Sequence, residues 1–195
     1  FEASAAAYNP AEAVHFHTVF FEDLTPDTLY AYRVGDGEAV WSEWFHFRTA
    51  KEGEAPFTFA YVGDAQNGLL SHWSRLIRAA YARDPQIDFI IHAGDLVNTA
   101  HMDLEWAQWF HALGWIHGQV RAVPVPGNHE YGNYDGNRRL SVQWQPQFAL
   151  PVVESFDPSI QETAYVIDYQ GARLIGLNSL NRVEEQTPWL EQQLA

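Results

Sequence analysis

The sequence predicts a short all-β segment followed by an α/β domain, and three observations carry that prediction. Residues 1–50 hold aromatic and β-branched runs separated by turn residues. A polar Gly- and Pro-containing segment, 51–56, then breaks the pattern and reads as a linker. From residue 57 to 195 apolar strand-like runs alternate with helix-period runs. Three successive strand runs there end in Gly63-Asp64, Gly94-Asp95 and Gly127-Asn128-His129.

Within the first segment, residues 15–21 (His15 to Phe21) and 29–34 (Leu29 to Val34) read as strands, the second closed by a Gly35-Asp36-Gly37 turn. Residues 41–49 form a third strand, with Trp41, Phe45 and Phe47 on one face and Trp44 and His46 on the other. The Ala-rich start is the one place there with any helical character. In the second segment, 57–62 is a strand and 69–83 a helix whose stripe includes Leu69, Leu70, Trp73, Leu76 and Ile77. A buried strand over 87–93, a helix over 103–116 and a strand over 120–125 follow. Residues 164–169 and 173–178 read as strands joined by a Gln170-Gly171 turn, and Thr187-Pro188 opens a last helix with Pro in its first turn. That helix is still running at Ala195, and the chain begins without Met, so both ends read as cut.

Composition excludes several functions. Hydrophobic residues make up 47% and aromatics 15%, enough for a sizeable core. The formal charge of −14 disfavours nucleic-acid binding through charge, and an anionic substrate would need a local reversal of that field, such as bound metal ions supply. The absence of cysteine excludes disulfides, thiolate zinc sites and a thiol nucleophile. No run is long and apolar enough for a membrane span, and nothing in the sequence indicates an oligomeric state.

Asp64, Asp95 and Asn128 follow one another at intervals of 31 and 33 residues, each interval one strand–helix–strand unit. Such units return every strand end to the same sheet edge, where open α/β sheets bind ligands. Two carboxylates, an amide oxygen and a nearby His suit hard or borderline metal ions, and the preceding glycines let the backbone turn and approach a ligand closely.

The run Gly63-Asp64-Ala65-Gln66, Gly94-Asp95-Leu96-Val97-Asn98 and Gly127-Asn128-His129-Glu130 resembles the calcineurin-like metallophosphoesterase superfamily. Leu24-Thr25-Pro26-Asp27-Thr28-Leu29-Tyr30 resembles the tyrosine-corner segment of a fibronectin type III sandwich, and a sandwich before such a domain is the layout of purple acid phosphatase-like proteins. The resemblance implies the last strands of a fibronectin type III-like sandwich over 1–50 and the N-terminal part of a metallophosphoesterase domain over 57–195. It implies hydrolysis of phosphate monoesters or diesters by the intact parent, with two divalent or trivalent metal ions (Fe, Zn or Mn) and a phosphoester or phosphorylated substrate. It further implies an extracellular or periplasmic location. Asp64 would hold the first metal, Asp95 bridge both and Asn128 hold the second. His129 would face the scissile phosphate and Glu130 would orient His129.

The chain departs from the pattern at two places. Gln66 stands where many relatives have a metal-binding His, and reads either as a neutral oxygen ligand or as a hydrogen-bonding neighbour. Asn98 stands where purple enzymes have Tyr, so no purple colour is expected. No His follows His129, so the family's later His ligands have no counterpart here and the fragment alone is expected to be inactive. Asn98 reads as a site-rim residue or a helix cap. His101 lies at the site mouth or is an ordinary exposed His. Tyr131 and Tyr134 line the entrance or pack the loop. His92 reads as a satisfied core His, and Trp106, Trp109 and Trp115 as helix-to-sheet packing. The alternatives are a degenerate binding module and a nucleotidase or phosphodiesterase of the same superfamily.

Overall fold

The computed structural model describes residues 2–9, 12–134 and 136–195, with side chains from residue 15 onward. The chain opens with an antiparallel hairpin, β1 (Glu2–Asn9) and β2 (Glu12–Thr18), so the Ala-rich start is strand rather than helix. β3 (Leu29–Tyr32) and β4 (Phe45–Arg48) form a second antiparallel pair. Its aromatic face stacks Tyr30 on Phe47 at 5.7 Å and sets Tyr32 against Phe45 at 5.6 Å, with His46 on the exposed side. The Tyr30 hydroxyl accepts a hydrogen bond from the Thr25 N–H at 2.9 Å, the tie-back that a tyrosine corner requires.

Segment 51–56 is strapped down. Gln170 accepts from the Lys51 N–H and donates to the Ala55 and Pro56 carbonyls. Tyr32 donates to the Gly118 carbonyl at 2.7 Å and Arg121 to the Arg48 carbonyl, so the small β unit rests on the turn that precedes β7.

The α/β part is built on a parallel sheet in the order β5-β6-β7: Phe59–Val62, Phe89–Ala93 and Arg121–Val125. α1 (Ser74–Arg83), entered through a π-turn at Leu69–Trp73, and α2 (Asp103–Leu113) cover one face. Leu69, Trp73 and Ile77 are buried at a spacing of four, whereas Leu70 and Leu76 are exposed. The stripe is therefore narrower than the sequence implies, because α1 meets the sheet through one row only. Trp109 and Trp144 are fully buried in this layer, each worth about 2–3 kcal/mol of apolar burial. The other face is covered by the hairpin β10 (Tyr165–Tyr169) and β11 (Ala172–Gly176), whose Tyr165 hydroxyl donates to the Pro124 carbonyl.

Two further elements depart from the sequence reading. Residues after the third motif form a hairpin, β8 (Tyr131–Tyr134) and β9 (Asn137–Leu140), followed by the short helix α3 (Trp144–Gln147). The last helix, α4 (Val183–Leu194), starts before Thr187 and carries Pro188 in its interior. The Gln186 side chain starts it by bonding Asn178, the Asn181 carbonyl and the Arg182 carbonyl, which outweighs the lost Pro188 N–H. Among the described residues no helix is long and apolar enough to cross a membrane.

Candidate metal centre

The three motifs follow β5, β6 and β7 at the carboxyl edge of the sheet, where the parallel register places them side by side. Backbone bonds stitch the loops together. The Asp64 N–H donates to the Gly94 carbonyl at 3.2 Å and the Gln66 N–H to the Asp95 carbonyl at 3.1 Å. Asp64 and Asp95 adopt left-handed conformations, with φ of 53° and 54°, a region that Asp enters more readily than most residues. Their side chains thereby leave the strand direction at the sheet edge.

The glycines serve the loops first. A Cβ on Gly94, whose φ is +85°, would lie 2.6 Å from the Gly127 Cα. A Cβ on Gly127 would lie 2.2 Å from Asp95 Oδ1. These two glycines let the second and third motifs approach each other closely.

Glu130 departs from the role given by the resemblance. It is fully buried, and its carboxylate accepts four backbone bonds: from Asp95 and Gly127 N–H on Oε2, and from Leu96 and Val97 N–H on Oε1. Burial pushes its carboxyl above the ordinary range. The amide bonds from Gly127, Val97 and Asp95 oppose that, and the Asp95 charge adds to the rise. The side chain is spent holding two motif loops and does not reach the His129 ring.

His129 is oriented instead by Asn98. Its Nδ1 lies 2.7 Å from the Asn98 main-chain carbonyl. A carbonyl can only accept, so Nδ1 carries the proton and Nε2 is left for other partners. The His129 N–H donates to Asp95 Oδ1 at 2.9 Å, so Asp95 and Glu130 clamp each other's loops. The Asn98 side chain donates to Thr99 Oγ1 and is exposed.

The remaining residues fall on both sides of the expectation. The Gln66 Nε2 donates to Asp95 Oδ2 at 3.3 Å, while its Oε1 is buried with no hydrogen-bond partner. Asp64 and Asn128 are exposed at the edge. Tyr131 is not a rim residue: it is buried, and its hydroxyl accepts from Asn178 Nδ2 at 2.7 Å. Its place is set by β8 turning into the body of the domain. His101 is half-buried, 6.0 Å edge-on from the Tyr134 ring beside the β8–β9 hairpin. Sequence reading missed Asn178, a buried hub that bonds Tyr131, Thr163 and Gln186, and no motif marks it. It also missed Arg138, whose Nη2 donates to the Asn128 carbonyl at 3.2 Å. His92 is buried as expected, but its Nε2 has no partner, and burial, with the His117 charge, lowers its pKa to about 3.

As a donor set, two carboxylates and two carboxamides suit hard cations, and the orphaned Gln66 Oε1 is an available lone pair. Among the described residues no three His, Cys, Asp or Glu side chains gather closely enough to hold an ion. The residues present therefore fit one wall of a metal site.

Comparison with known proteins places these features. Residues 57–194 match the calcineurin-like phosphoesterase family, and residues 1–49 match the purple acid phosphatase N-terminal domain. The chain is 25% identical to probable inactive purple acid phosphatase 1 of Arabidopsis thaliana over 162 residues, 70% of this chain and 26% of that protein. It is 26% identical over 187 residues to probable inactive purple acid phosphatase 24 of the same plant, covering 77% of this chain and 30% of the relative. The fold matches a purple acid phosphatase from yellow lupin (Lupinus luteus) seeds with a TM-score of 0.65 at 22% identity, over 88% of this chain and 34% of that one. The chain thus spans about a third or less of the proteins it matches. With its three strand-end motifs on one sheet edge and its tyrosine-corner strands ahead of them, the chain belongs to the calcineurin-like phosphoesterase family, in the purple acid phosphatase-like arrangement.

Proposed function

We propose that the intact protein hydrolyses phosphate monoesters or diesters at the edge formed by the Asp64, Asp95 and Asn128 loops. The observation that carries this reading is the mutual clamp of the second and third motifs, in which Glu130 holds the Asp95 amide and Asp95 holds the His129 amide. A packing role alone does not call for a fully buried carboxylate spent on two adjacent ligand loops. Asp64, Asp95 and Asn128 would hold two metal ions of the Fe, Zn or Mn class, with Gln66 joining them through Oε1. Such ions supply Lewis-acid activation of the nucleophile and screen phosphate charge. His129, with Nδ1 held by Asn98, presents Nε2 for a phosphoryl or leaving-group oxygen. Residues 1–50, 51–56 and 57–195 are the partial sandwich, its connector and the catalytic part. A location outside the cytoplasm fits the arrangement.

A second reading is favoured by one contact: Gln66 Nε2 faces Asp95 Oδ2, the oxygen a bridging ligand would need. Two relatives are also named probable inactive enzymes. On that reading the intact protein binds phosphoesters without turning them over. Metal analysis and a phosphoester panel on the full-length protein decide between them. Hydrolysis with bound metal, reduced roughly a hundredfold or more in Asp95→Asn, supports the enzyme. Metal-free protein, or turnover unchanged in Asp95→Asn, overturns it.

A further inference from the structure

A chain of net charge −14 has to attract an anion to an edge that carries Asp64 and Asp95. Several of its cations are already engaged elsewhere. Arg48 pairs with Asp27, Arg173 with Asp168, and Arg182 with Asp157 and Glu185. Arg33 is held between the Trp41 and Trp44 rings at 4.1 and 4.8 Å, and Arg78 bonds the Ala112 and His111 carbonyls.

Arg138 differs. It lies on β9 directly opposite Asn133, on the hairpin face shared with Tyr131 and Leu140. Tyr131 on that face is buried against Asn178, so this side of the hairpin turns toward the domain. The Arg138 Nη2 donates to the main-chain carbonyl of Asn128, which places the guanidinium on the third motif itself. The group is exposed, and among the described residues no carboxylate pairs with it. A guanidinium carries five N–H donors in a planar fork, and one contact to a carbonyl leaves donors for a second partner. Its neighbour Arg139 sits on the opposite face of the hairpin, over the Tyr134 ring at 5.2 Å.

We propose that Arg138 is a substrate-binding residue, which takes phosphoryl oxygens of a phosphate ester held at the strand-end edge and fixes them beside His129. The assignment rests on the reading of that edge as a phosphoester site and adds to it the residue that supplies fixed positive charge. A planar fork suits the terminal phosphoryl of a monoester, which offers two free oxygens to one guanidinium.

The test is inorganic phosphate binding by calorimetry on the full-length protein, with metal content measured on the same samples. Arg138→Ala and Arg138→Gln, the latter keeping an N–H for the Asn128 carbonyl, weaken phosphate about tenfold or more. Arg138→Lys recovers part of the loss. Arg139→Ala stays within about twofold of wild type, and metal content is the same in all four variants. Phosphate affinity unchanged in Arg138→Gln overturns the assignment. So does a loss in Arg138→Gln accompanied by loss of metal, which makes Arg138 a prop for the Asn128 loop. Wild-type protein that binds phosphate through Arg138 but hydrolyses no ester leaves this assignment standing and removes the hydrolase reading. Wild-type protein that binds no phosphate removes both.

Discussion

Two buried polar environments meet the carboxyl end of β6, one at the loop that follows it and one on the strand itself, and they are built in opposite ways. At its carboxyl end Glu130 keeps a buried carboxylate whose two oxygens receive four N–H bonds. Just upstream, His92 faces the helix layer, with Trp73 at 5.9 Å and Trp109 at 5.1 Å, and His117 lies 4.5 Å from the same Trp109 ring. There the ring nitrogens of His92 (Nε2), His117 (both), Trp73 and Trp109 have no hydrogen-bond partner. The first environment uses charge to hold backbone in place. The second tolerates polar rings only while they stay neutral, because burial penalises the charged form of both histidines. Structure around the site is therefore bought with hydrogen bonds, while the layer beneath it depends on packing.

The sharpest way to break the first environment is Glu130→Ala. Four N–H groups lose their acceptor, three in the loop that carries Asp95 and one in the third motif. The expected cost is about 3–5 kcal/mol in urea unfolding, accompanied by loss of any metal bound at the edge. A cost below about 1 kcal/mol would show that water replaces the carboxylate and that the clamp does not organise the loops.

The second environment is tested by acid. Burial lowers His92 to about 3 and His117 to about 4, against about 6.5 in an unfolded chain. Between those values the unfolded state binds protons that the folded state refuses, so stability falls as pH falls from about 6.5 toward 4 for His117 and toward 3 for His92. Above about 6.5 these two groups add no pH dependence. At pH 5 each costs about 2 kcal/mol. Urea unfolding at pH 6.5, 5.5 and 4.5 reads the slope, and His92→Leu reduces it by close to one proton. An identical slope in that variant would show that His92 is protonated in the fold and has a partner.

What the sequence reveals divides along the same line. The three motifs are legible because strand–helix–strand units repeat at 31 and 33 residues and force a common edge. The tyrosine corner is legible because its tie-back is local, Thr25 to Tyr30. Glu130 is harder to read, since its next-door neighbour is His129 while its partners lie 33 to 35 residues away as well as at Gly127. The β8–β9 hairpin escapes a search for alternating apolar residues because Gly132, Asn133, Asn137, Arg138 and Arg139 are all polar or small. The Asp135-Gly136 dipeptide was the available signal, being a favoured hairpin-turn pair. Missing that hairpin hid Arg138, whose placement depends on cross-strand register rather than on any motif.

The smallest expected effect lies farthest from the edge. Tyr30→Phe removes the hydroxyl that accepts from the Thr25 N–H, but this bond is exposed and water can take its place. The ring remains stacked on Phe47. The expected loss is about 0.5–1 kcal/mol, read as a small downward shift in Tm of the full-length protein. It should leave phosphate affinity untouched, because the β3–β4 unit meets the α/β part through Tyr32 on Gly118 and Arg121 on the Arg48 carbonyl, ahead of β7 rather than after it. A change in phosphate affinity in Tyr30→Phe would mean that the small β unit is coupled through β7 to the opposite edge of the sheet. The contrast between a self-contained clamp at the motifs and a separable support beneath would then no longer hold.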